Sequence, residues 1–195
     1  MNATAIAQSI LDFWFLPADT TGYGLPRSVW FIKDPKFDEQ IRTQFGKQVE
    51  QALAGALTEW ETSADTALAL ILLLDQFTRN IYRNTPRAFA GDTQALALAQ
   101  KMVEMGMDRT LLAVQRAFVY LPFEHAEDKA MQARSVDLFK RLQQETGAHM
   151  MDFDYALQHQ QIIARFQRFP HRNAILGRLS TPEEQAFLAQ PNSGF

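Results

Sequence analysis

Ala67-Leu68-Ala69-Leu70-Ile71-Leu72-Leu73-Leu74 contains no polar residue and passes directly into Asp75, Gln76, Arg79 and Asn80. Eight apolar residues are too few to cross a bilayer. An apolar surface all the way round instead predicts a central helix packed on every side. Asp75 and Arg79 are four residues apart, on one face of that helix and within pairing reach. A buried carboxylate without a partner is strongly disfavoured, so Asp75 is expected to be paired, hydrogen-bonded or facing a wet cavity. The simplest reading is a structural Asp–Arg pair closing a core helix that runs from about residue 63 to 83.

Outward from this helix the punctuation is helical and no convincing strand occurs. Residues 1–15 read as a first amphipathic helix, lacking the basic start of a signal peptide and carrying Asp12 within the apolar stretch. Asp34 and Pro35 form an N-cap and first helical residue, after which Phe37, Ile41, Phe45, Val49 and Ala52 fall on one face. Further helices are predicted over 92–105, closed by Gly106; from a cap at Asp108 to Pro122, which should end it; over 127–146, closed by Gly147; and over 152–169. Thr181, Pro182 and Glu184 start a final short one. These eight helices predict one all-α domain spanning 1–195. Residues 16–29, with Pro17, Pro26, Gly22 and Gly24, read as a loop pinned at both ends by aromatics, either a packed surface loop or a lid.

Composition bounds the function classes. The 195 residues are 47% apolar and 21% charged, an ordinary globular balance. A net charge of −3 gives no reason to expect nucleic acid or an anionic membrane as partner. The absence of cysteine removes disulfides, thiolate chemistry and Cys-ligated zinc. With no spanning segment, a cytoplasmic location is expected. No Glu-x-x-His pair, His-Glu-x-x-His motif, glycine-rich phosphate loop or Gly-x-Ser-x-Gly elbow occurs, so no metal site or cofactor is expected.

The remaining polar residues supply the candidates. His159, Gln160 and Gln167 fall on the apolar face of the predicted 152–169 helix, where a lone histidine is most often a satisfied core residue. Arg165 and Arg168 lie on its solvated stripe. Residues 155–182 hold four arginines, His159 and His171 but no acid, so they are expected to pair with acids from other helices. The sharper alternative is an anion site on Pro170-His171-Arg172-Asn173, whose turn could aim donors at a phosphate or carboxylate. Glu124 and His125, placed by Pro122 in a connection, could serve proton transfer, with His125 as base or acid.

The strings Leu74-Asp75-Gln76-Phe77-Thr78-Arg79-Asn80-Ile81-Tyr82-Arg83, Tyr120-Leu121-Pro122-Phe123-Glu124-His125 and Arg165-Phe166-Gln167-Arg168-Phe169-Pro170-His171-Arg172-Asn173, with Trp30-Phe31 and Phe37-Asp38, resemble an uncharacterised bacterial family catalogued as domain of unknown function 924. The resemblance covers nearly the whole chain. It implies an all-helical antiparallel array grouped with the tetratricopeptide-like superhelices, although the sequence shows no regular repeat, and it implies no activity. Gln167 stands where the family commonly has glycine, Thr78 where proline is common, and Ala126 where serine is usual.

Together these observations predict a helical binding module with a polar pocket for a small anionic ligand or a peptide carboxylate, built from Asp75, Arg79, His171, Arg172 and Asn173. An enzyme using Glu124, His125 and His159 for proton transfer on an anionic substrate is the alternative, and purely structural polar networks are a third.

Overall fold

The computed structural model describes residues 3–147 and 153–191. Among them the chain forms eight helices and no strand. They are α1 (Ala3–Phe15), α2 (Pro35–Leu53), α3, α4 (Asp92–Glu104), α5 (Ala113–His125), α6 (Lys129–Thr146), α7 (Phe153–Phe166) and α8 (Pro182–Leu188). Helix α3 is composite: Ala64–Ile71 continues through a π-helical stretch, Leu72–Phe77, into Thr78–Ile81. No helix among the described residues is long and apolar enough to cross a membrane.

The predicted signals act as expected at several ends. Asp34 accepts from the Lys36 N–H at 2.8 Å, and the five residues from Phe37 to Ala52 named for the inner face of α2 are all buried. The helix expected from residue 127 starts at Lys129 instead, because Asp128, not marked as a cap by the sequence, accepts from the amides of Ala130 and Met131. Gly147, at φ 62°, closes it in the left-handed conformation that glycine adopts without strain. Thr181 and Glu184 form a reciprocal capping box at α8.

Helix α3 is the axis of the core. Every residue from Thr66 to Thr78 is buried, with α1, α2, α4 and α5 packed around it. The aromatics Trp14, Phe77 and Phe118 meet at its side. Helix α5 then packs on α6, and α6 on α7, as successive neighbours. The 16–29 loop is pinned at both ends: Trp14 stacks on Trp30, while Arg27 and the Trp30 indole donate to the carbonyl of Trp14 at the end of α1. These donors satisfy acceptors that a helix C-terminus leaves open. Phe31 turns outward instead of joining the clamp.

Three expectations are corrected. Pro122 does not end α5, which continues to His125. Proline removes only one ladder bond, and burial of the helix from Val114 to Glu124 outweighs that loss. Gln132 also takes the carbonyls of Glu124 and Ala126 at 2.6 and 2.8 Å. Glu124 and His125 therefore occupy a last helical turn, not a connection. Asp108 caps nothing: it lies in a short 3-10 turn and accepts from the Tyr120 hydroxyl at 2.5 Å, a long-range bond that takes the carboxylate away from the helix start. Helix α7 stops at Phe166, because Gln167 turns to φ 60°, so Gln167 is exposed and not part of an apolar helical face. Tyr155, in the same helix, is also exposed. The predicted start of α7 at Asp152 lies outside the described residues.

Candidate functional site

Asp75 sits in the π-helical stretch of α3, where the regular ladder is interrupted and backbone carbonyls need other donors. Side chains supply them. Thr78 Oγ1 donates to the Leu74 carbonyl at 2.8 Å, and Arg79 Nη1 to the Asp75 carbonyl at 2.7 Å. Proline, common in the resembled family at position 78, would interrupt the ladder here too, having no N–H. Gly91 closes onto this stretch: a Cβ there would meet the Leu74 carbonyl oxygen at 2.2 Å. That contact delivers Asp92, the first residue of α4, to Arg79, which grips it with two bonds of 2.9 and 3.1 Å.

Asp75 is fully buried and has three partners. Arg79 lies 3.1 Å away, His125 Nδ1 is at 2.7 Å, and the Gln76 amide donates at 2.6 Å. Burial opposes its ionisation, but Arg79 and the hydrogen bonds from His125 and Gln76 outweigh it and hold the carboxyl well below its ordinary range. Burial, opposed by Asp75 but reinforced by Arg79 and Arg172, lowers the His125 pKa. A neutral imidazole facing a carboxylate must donate from Nδ1, which leaves its Nε2 lone pair as an acceptor.

Neighbouring side chains on a helix diverge by about 100°. His125 accordingly reaches α3, while Glu124 points to α7, with Oε1 3.4 Å from His159 Nδ1. That contact is not an ion pair. Burial, with the charge of Asp75, pushes Glu124 up to about 8, and burial pushes His159 down to about 3. Both are neutral at pH 7. His159 Nδ1 lies 2.9 Å from the Tyr155 carbonyl, which can only accept, so Nδ1 carries the proton.

The fourth side of the cluster is the turn after α7. Glu127 accepts from the Phe169 amide at 2.8 Å and from Arg178 through two bonds of 2.6 and 2.9 Å. Thus clamped, the turn carries Arg172 inward between the rings of Phe89 and Phe169, 4.8 and 4.5 Å from their centroids. Its nearest counter-charge, Asp92, is 3.6 Å away and already committed to Arg79. Among the described residues no hydrogen bond reaches the Arg172 guanidinium, and its Nε is buried without one. Burial and the nearby charge of Arg79 pull its pKa down to about 10. His171 borders the same ring, with its pKa lowered to about 4 by burial and then by Arg172.

The structure thus brings Asp75, Arg79, Glu124, His125, His159 and Arg172 together, with His171 at the margin. Asn173 is not among them: it bonds Ser180, Glu184 and Arg178 and braces the base of the turn. Arg165 and Arg168 pair with Glu183 and Glu184 away from the cluster. The sequence reading did not single out Asp92, Gly91, Gln76 or Phe89 as site residues. A glycine before a helix-opening acid is the one local sign of the first two, and nothing in the spacing connects residue 92 with 79.

Residues 10–192 match the family described as "Bacterial protein of unknown function (DUF924)". The chain belongs to this family. It is also similar to the solved structure of ATU0120, a protein of unknown function from Agrobacterium tumefaciens. That likeness has 38% sequence identity and a TM-score of 0.83, and covers 96% of this chain and 99% of the other. No curated protein matches. The glycine that the resemblance implies at position 167 would suit this turn, where Gln167 adopts φ 60°.

Proposed function

We propose that this DUF924 protein binds a small anion, a free carboxylate or phosphate or the terminal carboxylate of a peptide, at the cluster between α3, α5, α7 and the 169–173 turn. One observation carries the reading. Arg172 is a buried guanidinium held by two aromatic rings, with no hydrogen bond from any described residue and only a 3.6 Å contact to a carboxylate already shared with Arg79. A buried cation in that state gains from an incoming acceptor, and its planar fork suits carboxylate or phosphate. Arg79, with 20% of its side chain exposed, adds positive charge to the cluster.

Thermal unfolding of the wild type and of Arg172→Met, which retains much of the packing, across acetate, succinate, phosphate and a short peptide tests this. At least one anion should raise the melting temperature of the wild type, as mass action requires for a ligand of the folded state, and the variant should lose the effect. Equal shifts in both proteins, or none in either, would overturn the reading.

A second reading is favoured by a separate observation. His125 is oriented by Asp75 at 2.7 Å in the manner of a general base, beside a Glu124 carboxyl that keeps its proton at neutral pH. That pairing suits acid–base chemistry on the bound anion. Protein-dependent turnover of an anionic substrate that vanishes in His125→Gln while anion binding remains would separate the two readings.

A further inference from the structure

Resting on the anion-binding reading, we infer that the ligand also carries a hydroxyl group, which donates to Nε2 of His125, and that hydroxylated anions are preferred over both their deoxy and their amino counterparts. Three contacts lead to this class. Arg172 supplies the charge for the anionic end. His125 is tied through Nδ1 to a fully buried Asp75, so its ring is fixed and Nε2 is presented as an acceptor. Among the described residues nothing donates to that nitrogen, and 15% of the His125 side chain remains exposed. Glu124 completes the set: no hydrogen bond from a described residue engages its carboxyl closely, the contact to His159 being 3.4 Å.

The same geometry argues against an ammonium as donor. Asp75, the carboxylate nearest His125, is sequestered by Arg79, Gln76 and His125 itself, and Asp92 is gripped by Arg79. An ammonium at Nε2 would instead face the positive charges of Arg79 and Arg172, both of which already act on the ring. A hydroxyl makes the hydrogen bond without that repulsion. The pairing of an arginine with an oriented neutral histidine therefore selects for charge at one end of the ligand and for a neutral donor at the other.

Calorimetric titration of the full chain with two matched series tests this. One holds propionate, 2-hydroxypropionate, 3-hydroxypropionate and alanine; the other holds ethyl phosphate and 2-hydroxyethyl phosphate. In at least one series the hydroxylated member should bind about tenfold more tightly than its deoxy partner, the value of one good hydrogen bond. Alanine should bind less tightly than the hydroxy acids. The series showing the gain identifies the anionic end as carboxylate or phosphate. His125→Gln and His125→Phe should both bring the hydroxy-to-deoxy ratio close to one. Equal binding of hydroxylated and deoxy members in both series, or a gain that survives both His125 substitutions, overturns this inference and leaves anion binding standing. No binding of any probe, with no thermal shift in the wild type, overturns both.

Discussion

Gly91 and Leu74 meet backbone to backbone, so closely that a Cβ on Gly91 would lie 2.2 Å from the Leu74 carbonyl oxygen and 2.9 Å from its Cα. The Leu74 atoms belong to the buried π-helical stretch of α3 and cannot move aside as a flexible side chain could. Gly91→Ala should therefore push α4 away and weaken the Arg79–Asp92 fork. A loss of about 2–3 kcal/mol is expected in urea unfolding, in the upper range for overpacking. A loss below about 0.5 kcal/mol would show that the contact relaxes freely.

Glu124 and two histidines give stability opposite dependences on pH. Glu124, pushed up to about 8, holds a proton that the unfolded chain releases above about pH 4.3. Stability therefore falls as pH rises from there towards 8. His159 and His171, at about 3 and about 4, stay neutral where the unfolded chain binds protons below about pH 6.5, so their contribution rises with pH up to that point. Two histidines outweigh one carboxyl below about pH 6.5, and above it Glu124 acts alone. Stability should peak near pH ~6.5 and decline towards pH 8. Glu124→Gln, which mimics the protonated acid, should remove the decline and gain on the order of 5 kcal/mol at pH 8. Urea midpoints at pH 5.5, 6.5 and 8 check this; a variant that declines in parallel with the wild type contradicts it.

Gln167 adopts φ 60° and donates its amide to the Ile163 carbonyl at 2.9 Å, ending α7 in a left-handed cap. A side chain is strained there and glycine is not. Gln167→Gly should raise stability by about 0.5–1 kcal/mol, despite the usual entropic penalty of glycine. Gln167→Val should lower it, because β-branching makes the conformation worse. Melting temperatures of both variants read the sign directly.

Arg178 and Glu127 hold the turn that carries Arg172 without themselves joining the cluster. Glu127→Gln weakens the two bonds to Arg178 by removing the charge that makes them strong. Anion-induced stabilisation should shrink several-fold through the displacement of Arg172, while Arg165→Ala, at an exposed pair, leaves it unchanged. Identical ligand shifts in the Glu127 variant would mean that the turn keeps its place without the clamp.

The helices were legible because their signals are local. Caps at Asp34 and Thr181, the stop at Gly147 and the inner face from Phe37 to Ala52 each depend on residues within a turn or two of one another. The Asp75–Arg79 pair was legible for the same reason, as was pairing of the C-terminal arginines with acids, although the partners were not. Failures came where tertiary packing overrode a local rule. Pro122 breaks an isolated helix but not one buried along its whole length, and Asp108 gave up a cap for the Tyr120 hydroxyl.

By itself, then, the sequence determined an all-helical chain with one wholly apolar helix leading into charge, since apolar periodicity and capping act over a few residues. Only the tertiary structure decided that His125 would face Asp75 across 50 positions. It likewise decided that Asp92 would be delivered to Arg79 by the Gly91 contact, and that Arg172 would be buried between two rings with no hydrogen bond from any described residue. Those relationships depend on how α3, α4, α5 and the 169–173 turn pack against one another. Burial then sets the charge states of Glu124, His125 and His159, which no spacing encodes.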